Sequence, residues 1–393
     1  MANPLPFLSI ALVFGVPLVL YIIFLCLSAI PFFQRNFLYA HRVNTLWWAN
    51  IDEPEQWGFA KNQVTPFSIT TADNQTLYAW HILPLPLYAQ HEAELSSRPA
   101  GFAHDITETR NFRLLRDDPT SKLVISFHGN AGHIAQGVRP QHYLSLTSHT
   151  PYHLLTVDYR GFGRSTGSPT EHGLILDAAA VINWAVHTAG VAPSRIVLVG
   201  QSLGTAVACG AAELFTLQEG VDFAGIVLVA GFSTLPKMLS GYAIAGWLPV
   251  LRPLTYWPWL LDKIVGRVVD KWESAERLAA VVKRVKERGG RLRLSLVHAR
   301  NDWDIPSHED DLLFRAAVSG LVSREMDADD FKAAKAARTV VRGKDSFVTI
   351  WREANVVVRQ ELFPYGGHNS VLYYAPVALA VMRSFGVVDG AAS

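Results

Sequence analysis

From Leu5 to Phe33 the chain carries no charged residue, and 23 of those 29 positions are hydrophobic. A continuous helix of that length covers roughly 43 Å, more than the ~30 Å hydrocarbon core of a bilayer. Residues 1–34 are therefore expected to form an N-terminal transmembrane anchor, with Pro17 as a kink and Pro31 as an early stop absorbing the excess. A cleaved signal peptide fits less well: no Lys or Arg precedes the run, and its apolar part is too long. A linker with Trp47 and Trp48 fills 35–62. Beyond it the pattern shortens to apolar runs at Val64–Thr70, Thr76–Ile82, Leu123–Phe127, Leu154–Tyr159, Arg195–Val199, Ala224–Ala230, Leu292–His298 and Val356–Phe363. The middle runs are continuous, as strands buried on both faces should be. Helical spacing appears between them, in Thr170–Ala189, Leu203–Leu217 and Ser370–Phe385. This alternation predicts a mostly parallel eight-stranded sheet with helices on both faces over 63–393, opened by an antiparallel edge hairpin across Asp73-Asn74.

Two stretches interrupt that rhythm. Residues 232–290 are too long for a crossover and hold Tyr242, Trp247, Tyr256, Trp257 and Trp259 among prolines, which reads as an inserted helical cap. Residues 321–356 are polar and lysine-rich, and read as a solvated excursion.

Chemistry enters at Gly200-Gln201-Ser202-Leu203-Gly204. A G-x-S-x-G pentapeptide is weak alone, and Gly163-Arg164-Ser165-Thr166-Gly167 fits it as well. A nucleophile elbow needs a strand running in and a helix running out, with the serine exposed on a sharp turn. Ser202 has both. Ser165 lies six residues beyond its strand, and Ser168-Pro169 bars an immediate helix, so it is assigned to a loop.

A serine hydroxyl needs a base, and the base needs an orienting carboxylate. Where such sites follow the chain order Ser, Asp/Glu, His, the acid sits at a strand end. The strand Leu292–His298 runs into Asp302 and Asp304, and both qualify by position. His368, on the glycine loop Phe363–His368 after the last strand, is the expected base; His133, which precedes the serine, is a second choice. The oxyanion of an acyl transfer needs rigid backbone donors. One is expected from Leu203 and the other from Asn130 or Ala131, in the loop His128-Gly129-Asn130-Ala131-Gly132-His133, with His128 bracing that loop.

Together His128–Gly132, Asp158-Tyr159-Arg160-Gly161-Phe162-Gly163-x-Ser165 and Gly200–Gly204 resemble the α/β-hydrolase superfamily. More narrowly, they resemble its membrane-anchored branch of lysophosphatidylserine and monoacylglycerol lipases. The resemblance implies an α/β-hydrolase fold, and its Asp-x-x-Ile-Pro pattern at Asp302–Pro306 favours Asp302 over Asp304. Catalytic Ser202, His368 and Asp302 with oxyanion donors Asn130 and Leu203 then need neither a metal nor an organic cofactor. The cap aromatics Trp247, Tyr256, Trp257 and Trp259 are expected either to pack the cap or to contact an acyl chain or the bilayer surface.

Composition narrows the partners. Only 18% of residues are charged, 50% are hydrophobic, mean hydropathy is +0.17 and the net charge is +1. That excludes disorder and argues against nucleic acid. Cys26 and Cys209 cannot build a disulfide framework. The expected function is a membrane-anchored serine hydrolase cleaving lipid esters; acyl transfer, thioester or peptide hydrolysis by the same triad and a non-catalytic scaffold are the alternatives. The expected location is a single-pass attachment in the endomembrane system, with the endoplasmic reticulum favoured. Arg35 and Arg42 after the anchor point to a cytosolic domain, whereas the resemblance points to the lumen, where Asn74-Gln75-Thr76 is a glycosylation sequon.

Overall fold

A computed structural model describes residues 11–44, 48–244, 248–322 and 326–386. The strands are β1 (Val64–Thr70), β2 (Thr76–Ile82), β3 (Lys122–Phe127), β4 (Tyr152–Val157), β5 (Ile196–Gln201), β6 (Gly225–Val229), β7 (Ala243–Ile244), β8 (Leu248–Pro249), β9 (Leu292–Ala299), β10 (Thr339–Val341), β11 (Phe347–Glu353) and β12 (Val356–Phe363). All except β7 and β8 form one sheet in the order β1-β2-β4-β3-β5-β6-β9-β12-β11-β10. Strands β4, β3, β5, β6, β9 and β12 run parallel. The expected hairpin of β1 and β2 forms one antiparallel edge, with Asn74 in the left-handed region at its turn.

The main sheet has ten strands among the described residues, two more than the sequence pattern indicates. Both extra strands come from the stretch read as a solvated excursion. β11 buries Val348 on one face and Thr349 and Trp351 on the other, while β10 is an exposed edge. β10 is only three residues long and the polar turn 342–346 separates it from β11, so the stretch reads as polar in sequence.

Alternate residues of each central strand enter opposite cores. Leu123, Ile125, Leu198, Leu228 and Leu296 meet the helices Glu171–Asn183, Leu203–Leu214, Ser274–Glu287 and His308–Leu321. Val124, Val197, Val227 and Val297 meet Arg139–Thr147 and Ala375–Ser384. The helix Ser274–Glu287, inside the stretch read as cap, thus covers the sheet by burying Leu278, Val281, Val282 and Val285 at helical spacing. The helices Leu235–Gly241 and Pro258–Val265 of that stretch line a cavity together with Ser202, which follows the carboxyl end of β5.

The N-terminal run is not one straight helix. A π-turn at Ala11–Gly15 leads into a helix over Val16–Ser28, and a second helix follows at Pro31–Tyr39. Ile30 is extended, as the residue before a proline prefers, and the two helical arms meet at 106°. Among the described residues no single helix is long and apolar enough to cross a membrane; the bent pair passes that test only together. Residues 1–10 of the expected anchor lie outside the described residues.

Candidate active site

β5 ends at Gln201, and the helix Leu203–Leu214 begins two residues later, so Ser202 alone makes the turn. It pays in backbone strain, with φ 54° and ψ −119°. The flanking glycines are sterically required. A Cβ on Gly200 would lie 2.3 Å from the Gly204 carbonyl oxygen, and one on Gly204 would lie 2.0 Å from that of Phe127. Ser202 N–H donates to the Val229 carbonyl, tying the turn to β6.

The three residues predicted from separate parts of the chain meet here. Ser202 Oγ lies 2.9 Å from His368 Nε2, and His368 Nδ1 lies 2.8 Å from Asp302 Oδ2. Gly366 and Gly367 both have positive φ, which lets the histidine loop turn back over β5. Gln201 Nε2 holds that loop by the His368 carbonyl, and Asn301 Oδ1 accepts from Gly367 N–H.

Asp302 is buried, and its Oδ1 accepts the N–H groups of Asp304 and Ile305. Burial pushes its carboxyl pKa up, but hydrogen bonds and charge from His298 and His368 prevail and hold it well below the usual range. His298 was not singled out by the sequence reading. It lies 3.3 Å from Asp302 Oδ2 through Nε2, which also faces the Ile305 carbonyl. The available signal was its place at the end of β9, four residues before Asp302.

Arg139 also escaped the sequence reading, because nothing local marks it. It is buried, and its guanidinium donates to the carbonyls of Gly129, Asn130, Ala131 and His133. Gly129 C=O and Asn130 N–H share one trans peptide, so fixing the first toward Arg139 turns the second the opposite way. The Ala131 N–H is taken by the Tyr39 carbonyl. His128 faces the Gly129 carbonyl at 2.7 Å, the bracing role expected of it. His133 is buried and its Nδ1 accepts from Ala135 N–H, and Ser165 Oγ bridges the Asp158 carbonyl and Tyr78 N–H in its loop.

Asp158 braces the same loop through Ile134 N–H, at 2.6 Å. Burial raises its carboxyl to about 7, against the opposing effects of Ile134 N–H and Arg139. In the unfolded chain it ionises near ~4. The proton it keeps in the folded state therefore stabilises the fold at low pH, and that contribution is lost as pH rises through about 7. Asp158→Asn should flatten this dependence: the wild-type melting temperature falls between pH 5 and 8 more than the variant's. Parallel curves would refute it.

Ser202 and His368 form the floor of a cavity of about 580 Å³. One wall comes from the cap, through Leu235, Met238, Tyr242, Val250, Ile264 and Val268, and another from the N-terminal helices, through Phe24, Phe37 and Leu38. Of the cap aromatics expected to contact an acyl chain, the described Tyr256, Trp257 and Trp259 do not line it. Tyr256, Trp257 and Trp259 are 84%, 54% and 62% exposed, because the helix Pro258–Val265 turns Leu260, Leu261 and Ile264 inward instead. Trp247 lies outside the described residues.

A model of the alpha/beta hydrolase family matches residues 123–381, and the chain belongs to that family. Among its relatives, Lysophosphatidylserine lipase ABHD12 of Gallus gallus is 28% identical over 299 residues, covering 75% of this chain and 69% of that protein. Protein ABHD12B of Homo sapiens is 40% identical over 121 residues, and the match spans 31% of this chain and about a third (32%) of the human protein's length. An alpha-beta hydrolase (ABH) from Vibrio vulnificus shares the fold, with a TM-score of 0.55 at 16% identity over 90% of this chain and 92% of that one.

Proposed function

We propose that this protein is a serine hydrolase that cleaves carboxylic esters of single-chain lipids, of the lysophospholipid or monoacylglycerol type, at a bilayer. The observation that carries the reading is the unbroken contact of Ser202, His368 and Asp302, the first two of which line an apolar cavity. His368 Nε2 takes the Ser202 proton as Oγ attacks the ester carbonyl, and Asp302 holds the ring and stabilises the imidazolium. The N–H groups of Leu203 and Asn130 receive the oxyanion. His368 then protonates the departing alcohol, and a water activated by the same ring releases the fatty acid.

Lipid as substrate is supported by the name of the chicken relative and by the wall of Leu235, Met238, Val250 and Ile264. Bilayer attachment is supported by the N-terminal helix pair, whose Phe14, Leu18, Leu20 and Phe32 face outward. Placement in the endomembrane system is the expectation that the family resemblance of the sequence implies.

The test is turnover of a homologous series of monoacyl esters. Each methylene newly buried in the cavity should raise kcat/KM roughly fourfold until the cavity is full. Met238→Trp, which fills part of the wall, should move that plateau to shorter chains. Rates indifferent to chain length would sink the lipid reading while leaving the hydrolase.

A further inference from the structure

The helix Pro31–Tyr39 ends against the oxyanion loop. Its last carbonyls have no partner inside the helix. Leu38 C=O accepts from Asn130 Nδ2 at 2.6 Å, and Tyr39 C=O accepts from Ala131 N–H at 3.2 Å. A carbonyl can only accept, so the Asn130 amide presents its nitrogen here; its Oδ1 is buried and takes no hydrogen bond. The other flank of the helix is fastened to the end of the cap. Tyr39 Oη donates to Asp270 at 2.7 Å and accepts from Trp272 Nε1 at 3.2 Å, while Gln34 bonds the Arg267 carbonyl and Val269 N–H. Phe37 packs on Phe24 of the preceding helix, with ring centroids 5.1 Å apart.

We propose that the N-terminal helices are part of the catalytic structure rather than only a tether, with Asn130 as the positioning side chain. The carbonyls of Leu38 and Tyr39 clamp the oxyanion loop from one side while Arg139 holds it from the other. Asn130 N–H lies between these two supports, so its aim depends on both. Arg139 fixes the peptide before it, and the docked helix fixes the side chain and the peptide after it. This rests on the assignment of Asn130 as an oxyanion donor.

The experiment uses the full-length protein in nanodiscs, with monoacyl ester turnover, binding of a trifluoromethyl ketone and thermal melting. Losing an oxyanion donor outright costs about 10²–10³ in kcat, so misaiming one through Asn130→Ala should lower kcat about tenfold with KM held within about twofold. Affinity for the ketone, whose adduct places an alkoxide in the oxyanion site, should fall by the same factor at unchanged melting temperature. Gln34→Ala loosens the helix from the cap; it should lower kcat in the same manner and add little in the Asn130→Ala background. Wild-type kcat in both single variants, or fully additive effects, would overturn the clamp. Hydrolysis surviving in a folded Ser202→Ala protein would instead overturn the catalytic assignment, and the proposal with it.

Discussion

Ser202→Ala should abolish labelling by a fluorophosphonate probe and lower ester turnover by about 10⁴–10⁶-fold, without loss of the fold. The size follows from what is removed. Only Ser202 Oγ contacts His368 Nε2 among the described hydrogen bonds, so the variant leaves a base with no nucleophile to activate. Alanine keeps the Cβ and therefore bears the same strain at φ 54°, so little stability should change. Ser165→Ala is the matched control from the second G-x-S-x-G. Its hydroxyl bridges Asp158 C=O and Tyr78 N–H, so its removal should cost about 1 kcal/mol of stability and leave labelling intact. The assignment is lost if a folded Ser202→Ala protein still reacts while Ser165→Ala does not.

That contrast was legible in sequence because an elbow is a local object: strand, glycine, serine, glycine and helix within a few residues. The same holds for β1, β2 and β12, whose ends coincide with turn residues and whose bounds match the sequence pattern. Chain order and strand ends pointed to His368 and narrowed the acid to Asp302 or Asp304, and the family resemblance at Asp302–Pro306 favoured Asp302. The walls of the cavity could not, because they are assembled from distant parts of the chain. Tyr21 Oη reaches the Val250 carbonyl across 229 positions, and Tyr39 reaches Asp270 across 231. Aromatic richness in the cap signalled an apolar surface but not its direction; Trp259 faces out and Ile264 faces in. Arg139 stayed silent for a related reason: a guanidinium that orders backbone carbonyls answers to loop shape, which no spacing encodes.

Asp302→Asn carries the second large effect, about 10⁴-fold in kcat, with Asp304→Asn costing far less. The carboxylate accepts on both oxygens: Oδ1 from the Asp304 and Ile305 N–H groups, Oδ2 from His368, with His298 at 3.3 Å. An amide has one accepting oxygen. Whichever way it is turned, its NH₂ group meets either two backbone donors or the ring proton of His368, and the second arrangement favours the unproductive tautomer. The same substitution should alter the acid limb of stability. The Asp302 pKa is depressed in the folded protein, so its stabilising contribution is present above the unfolded value near ~4 and is lost as pH falls below it. Wild-type melting temperature should therefore drop between pH 5 and 3 more steeply than that of Asp302→Asn, while kcat at neutral pH separates the two aspartate variants. Near-normal turnover in Asp302→Asn beside an inactive Asp304→Asn would move the acid to Asp304. It would also leave the 2.8 Å contact of His368 with Asp302 a structural bond only.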